Sequence, residues 1–219
     1  MPIQLPLKVL YFVHGIDGDV CKGWQRDLEW RTDDTTDAQG ESFTYDMAAW
    51  QRSRRDEYAA VLADRIVAMN NQPSHYCGLN LIGHSEGTDI ITLALQLVGQ
   101  RYPTTKRQWV QNVMLYGGAA DGRFTKNGLN AALLANQIGN VHVFTSQADE
   151  VLWAASMFWL WGPALGKSAE AEMLIDPTVR PRVRLQECVG LHHCDYFGPY
   201  RDQFYADILT TCGVQRSAS

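Results

Sequence analysis

Five short apolar runs restrict the folds open to this chain more than any other feature. Leu7–Val13 reads LKVLYFV, and Leu79–Ile82, Val110–Tyr116, Val141–Thr145 and Val183–Val189 follow it. Apolar residues at consecutive positions suit strands covered on both faces, as in a parallel sheet. Val183–Val189 alternates in part, which places it nearer a sheet edge, and Phe43–Met47 is a weak sixth strand. Parallel strands need long crossovers, usually helical, and the intervening segments have helical spacing. Ser53 can cap a helix whose apolar face is Tyr58, Val61, Leu62, Ile66 and Met69. Thr88–Val98 is apolar nearly all round and reads as a central buried helix, while Asn127–Ile138 and Pro199–Leu209 are further helix candidates. Thr32–Ser42, TDDTTDAQGES, reads as a surface loop. The expected architecture is α/β: three layers around a mostly parallel central sheet of about six strands, in a single domain over residues 1–219.

The composition narrows the function. Of 219 residues, 46% are hydrophobic and 20% charged, enough for a sizeable core. Nineteen Lys and Arg against 24 Asp and Glu give a net charge of −5, without a basic block, which argues against a nucleic-acid partner. Five cysteines at irregular spacing do not read as a complete disulfide framework. The N-terminal MPIQLPLKVLYFVHG does not read as a secretory signal. The expectation is a cytoplasmic protein, with export by a route that needs no such signal as the alternative.

Chemistry concentrates at Gly83-His84-Ser85-Glu86-Gly87, a G-x-S-x-G match. Chance alone gives roughly 0.06 such matches in a chain of this kind, so the context decides. The motif follows the strand-like Leu79–Ile82 and opens the apolar helix from Thr88, the setting that a nucleophile elbow requires. A serine hydroxyl needs a base, and the base an orienting acid, in the chain order Ser, Asp or Glu, His. Asp149 follows the strand Val141–Thr145, with Glu150 as its neighbour and rival. His192 and His193 follow Val183–Val189, and only one of them can face Ser85. The chemistry needs no cofactor and no metal. The cluster Cys188, His192, His193, Cys194 matches no common structural zinc spacing.

These segments together resemble the α/β-hydrolase superfamily, over essentially the whole length. The strand ending in His14-Gly15 resembles the HG loop that supplies part of an oxyanion hole. Gly83–Gly87 resembles the GHSxG form of lipases and esterases, and His193-Cys194-Asp195-Tyr196-Phe197 the H-x-D-Y-F histidine loop of lipase-like branches. The resemblance implies an α/β-hydrolase-like sandwich with Ser85 as nucleophile, Asp149 as acid and His193 as base. The backbone N–H groups of Ile16 and Glu86 would then form the oxyanion hole. After His14-Gly15 the chain reads Ile16-Asp17-Gly18-Asp19 instead of the usual run of glycines.

The implied reaction is carboxylic ester hydrolysis on an ester or lipid substrate, lipase- or phospholipase-like. An acyltransferase or thioesterase on the same triad, or a non-catalytic binding module, are the alternatives. Residues 151–166, VLWAASMFWLWGPALG, are uncharged but shorter than the ~20 residues that span a bilayer. They read either as a helix buried against the sheet or as an apolar lid or acyl-binding wall. In the second case Trp153 and Trp159, with His14, line the substrate, and transient contact with a membrane surface follows.

Overall fold

The computed structural model describes residues 7–15, 23–45, 52–72, 76–103, 107–158 and 164–216. In chain order the elements are β1 (Leu7–Val13), α1 (Trp24–Thr35), β2 (Ala38–Phe43), α2 (Arg52–Asn70), β3 (Tyr76–His84), α3 (Glu86–Arg101), β4 (Val110–Tyr116), α4 (Leu129–Leu134), β5 (Ile138–Thr145), α5 (Glu150–Phe158), β6 (Val183–Glu187) and α6 (Arg201–Cys212). The strands form one six-stranded sheet in the order β2-β1-β3-β4-β5-β6, and every pairing is parallel.

Successive side chains of a strand point to opposite faces, and here both faces are covered. On one side Val9, Tyr11, Val13, Leu79, Leu81, Val113, Leu115, Val141 and Val143 pack with Leu62 and Ile66 of α2 and with Ile90, Ile91 and Ala94 of α3. On the other, Leu10, Phe12, Ile82, Met114, Tyr116 and Phe144 meet Trp24 and Leu28 of α1 and Phe204 and Ile208 of α6. The three layers follow from this double burial.

The register brings five strand ends to one edge. Val13, Gly83, Leu115, Val143 and Leu185 lie side by side across the sheet. The chain goes outward from β1 to β2, then returns to place β3 on the other flank of β1. Strand order therefore reverses between β1 and β3, and the crevice beyond the carboxyl ends at such a switch point is where open α/β sheets bind ligands. His14-Gly15 and Ser85 lie there.

Several expectations need correction. Thr32–Ser42 is not a loop: it holds the last turn of α1 and most of β2. The sixth strand is Ala38–Phe43, ahead of the expected Phe43–Met47, and residues 46 and 47 lie outside the described residues. Of Asn127–Ile138 only Leu129–Leu134 is helical, because Ile138 already pairs with Val110 in the sheet. The second helix begins at Arg52, so Ser53 lies within it instead of capping it, and Val61 on its expected apolar face is exposed. The central helix starts two residues before Thr88, at Glu86, and α6 runs on past Leu209 to Cys212. His142 on β5 is half-buried with Nδ1 unpartnered among the described residues. No helix among the described residues is long and apolar enough to cross a membrane.

Candidate active site

Ser85 is the single residue between β3 and α3, with φ 54° and ψ −126°. Positive φ is costly for a residue with a side chain, and such strain persists only where neighbours over-determine it. Its N–H donates to the Tyr116 carbonyl at 3.1 Å, and its carbonyl accepts from the Thr88 hydroxyl at 2.7 Å and from the N–H groups of Thr88 and Ala119, both at 3.1 Å. Two glycines leave the room this turn needs. A Cβ on Gly15 would stand 2.6 Å from Ser85 Cβ and 3.0 Å from Ser85 Oγ. A Cβ on Gly87 would stand 2.3 Å from the Val13 carbonyl oxygen, a backbone atom that cannot yield cheaply. Gly87→Ala is therefore expected to destabilise the fold by about 1–3 kcal/mol. Urea unfolding checks this as a lower midpoint at unchanged slope; an unaltered midpoint contradicts the close approach.

The candidate acid and base come from the ends of two neighbouring strands, β5 and β6. Asp149 lies between β5 and α5 and is fully buried. Its Oδ1 accepts the Leu152 N–H at 2.9 Å, the bond of a helix N-cap, which fixes its rotamer. Its Oδ2 is 2.8 Å from His193 Nδ1. His193 is buried in the loop after β6. An Nδ1–H donated to a carboxylate leaves Nε2 of the neutral ring as the proton acceptor, the tautomer a general base requires. The loop is tied to the β5 end by Ser146 Oγ–H to the Leu191 carbonyl at 2.6 Å and by Cys188 N–H to the Thr145 carbonyl at 2.7 Å.

His84, next to Ser85, adds a tie that sequence reasoning did not find. Its Nε2–H donates to the His193 carbonyl at 2.8 Å, and the two rings lie 4.7 Å apart. Burial, with the neighbouring His193, pushes its pKa down to about 3. The ring is thus neutral and its donor role permanent. Gly117 was missed too: its φ is +48°, and a Cβ there would lie 3.2 Å from Asp149 Oδ2. The Gly117-Gly118 pair directly after an apolar strand was the available signal.

The two rivals for acid and base pair with one another. His192 Nδ1 and Glu150 Oε2 are 2.8 Å apart, on exposed side chains. Asp195 Oδ2 accepts the His192 backbone N–H at 2.8 Å, which closes the loop on itself.

The Glu86 N–H lies at the start of α3, where first-turn donors lack intrahelical acceptors. Its carboxylate is buried against Arg55 of α2, which also holds Asp89 at 2.8 Å. Burial pushes the Glu86 carboxyl up to about 7, against the pull of Arg55. His14 is buried, stacked on Tyr45 at 4.2 Å, and its carbonyl accepts the Tyr45 hydroxyl. Its Nδ1–H donates to the Gly15 carbonyl at 2.6 Å, and burial lowers its pKa. Trp153 sits on α5, exposed by 57%. Ile16 and Trp159 lie outside the described residues. No group of three or more His, Cys, Asp or Glu among the described residues could hold a metal ion, and Cys194 is disulfide-bonded, so it offers no thiolate.

A serine forced into positive φ at the switch point of a parallel sheet, with helices on both faces, defines the α/β-hydrolase class. Residues 37–170 match the family described as alpha/beta hydrolase of unknown function (DUF900), and the chain belongs to it. No curated protein matches significantly in sequence. Among solved structures the chain is similar to an esterase from Rhizomucor miehei, at TM-score 0.58 and 14% identity over 96% of this chain and 75% of that one. An esterase from Pyrobaculum calidifontis gives TM-score 0.56 at 12% identity, covering 95% and 77%. A thioesterase from the prodiginine pathway of Streptomyces coelicolor gives 0.51 at 15%, covering 96% and 92%. At these identities the likeness is one of fold.

Proposed function

We propose that the protein is a serine hydrolase of carboxylic esters, lipase- or phospholipase-like, acting through Ser85, Asp149 and His193. The observation that carries this reading is the buried His193–Asp149 pair at the same sheet edge as the strained Ser85. His193 Nε2 takes the Ser85 proton as Oγ attacks the ester carbonyl. The oxyanion forms at the α3 N-terminus, where the Glu86 N–H and the positive end of the helix favour negative charge. By the resemblance, the Ile16 N–H is the second donor. Collapse breaks the ester C–O bond, and His193 returns the proton to the departing alcohol. Water, deprotonated by His193, then releases the acid and regenerates Ser85.

The test is covalent labelling by a fluorophosphonate, with peptide mapping, followed by product analysis on lipid, short-ester and thioester substrates. Label on Ser85 with ester turnover supports the reading. Absence of label indicates a binding module, and thioester preference or acyl transfer to an alcohol indicates the other uses of the triad.

The substrate side leans toward an acyl chain or a lipid surface, because Val151 and Trp153 stand exposed on the helix that starts at the acid. Burying a large ring is worth about 1.5–3 kcal/mol. Trp153→Gln is expected to lower kcat/KM on a long-chain ester by about tenfold or more and to leave a short soluble ester and the melting temperature nearly unchanged. Paired kinetics with thermal melts check it; equal loss on both esters overturns the acyl-contact role.

A further inference from the structure

The two segments that carry the inner acid–base pair carry a second pair one residue away on each: Glu150, which opens α5, follows Asp149, and His192 precedes His193. The inner pair is buried and the outer one exposed, yet both close at 2.8 Å between a ring Nδ1 and a carboxylate oxygen. We propose that Glu150 and His192 are positioning residues for the base, a charged clasp that holds the histidine loop against the start of α5 so that His193 meets Asp149. The proposal rests on the reading of Ser85, Asp149 and His193 as the catalytic triad.

The surroundings favour a charged clasp. The groups that face His192 among the described residues are Glu150 of α5, Asp195 in its own loop, and Asp149 beyond His193. All three are carboxylates. The hydrogen bond and charge of Glu150 raise the His192 pKa, with smaller help from Asp195 and Asp149. On the other side, the Glu150 carboxyl is lowered first by its own backbone N–H and next by His192. Lys167 Nζ reaches the Gln147 carbonyl at 2.7 Å and the Asp149 carbonyl at 3.3 Å, so it holds the backbone on the α5 side. The clasp is whole while His192 is protonated and Glu150 ionised. It weakens as pH rises through the raised His192 pKa. The alkaline side of the active window therefore narrows as His192 loses its proton.

The readout is the rate of fluorophosphonate labelling of Ser85 against pH, which needs the base but no natural substrate. Wild type is expected to show an alkaline decline of about two- to fivefold, the scale an exposed ion pair sets. Glu150→Gln should label more slowly by a similar factor near neutrality and lose that decline. His192→Arg, which keeps its charge, should hold the wild-type maximum into the alkaline range. The His192 ring pKa, followed by NMR, should fall in Glu150→Gln. An alkaline limb unchanged in both variants, or an unchanged His192 pKa, overturns the clasp while the triad stands. Wild type that takes no label at any pH overturns both.

Discussion

Ser85→Ala is expected to lose ester hydrolysis by a factor on the order of 10⁴ to 10⁶ and to keep its fold. The loss follows from the chemistry: without Oγ no acyl-enzyme forms, and binding with oxyanion stabilisation leaves only residual catalysis. The retained fold follows from how Ser85 is held. Its hydrogen bonds to Tyr116, Thr88 and Ala119 all run through its own backbone N–H and carbonyl, which alanine keeps. The cost of φ 54° is already present with serine, because it arises from Cβ and not from the hydroxyl. Turnover of a short ester and a thermal melt, on the same preparation, check the two halves. Near-wild-type turnover would remove Ser85 from the mechanism. A collapsed melting temperature would show that the hydroxyl itself supports the turn.

The strands were legible where burial on both faces made them apolar at most positions. Leu7–Val13 and Val110–Tyr116 have in the structure the bounds that the sequence suggests. The edge strand β2 was not legible, because AQGESF pairs on one side only and includes polar positions that are only half-buried. Its neighbour α1 buries Trp24, Leu28 and Thr32 along one thin stripe, too sparse for an apolar periodicity. Ile138 looks like the end of a helix, yet pairing with Val110 claims it for β5. At the site, the G-x-S-x-G setting located the strained residue. The residue types alone leave Asp149 beside Glu150 and His192 beside His193, and only the resemblance to lipase-like loops and the place nearest the strand end favour Asp149 and His193. What separates them in the structure is burial: Asp149 caps α5 from within, while Glu150 turns to solvent. His84 offered no sign of its role, since its bond to the His193 carbonyl spans 109 positions.

His193→Ala and His192→Ala are expected to differ by orders of magnitude. His193 lies buried with Nδ1 on Asp149, so its removal takes away the proposed proton acceptor for Ser85 and leaves the fully buried Asp149 without this partner. Activity should fall on the order of 10⁴-fold or more, and stability should fall as well, because an uncompensated buried carboxylate is costly. His192 stands exposed on Glu150, so its removal should cost about two- to fivefold in rate and little stability. Urea midpoints, with kcat on a short ester, measure both contrasts. A large rate loss in His192→Ala with near-normal turnover in His193→Ala would place the base one residue earlier and make the buried pair a structural one.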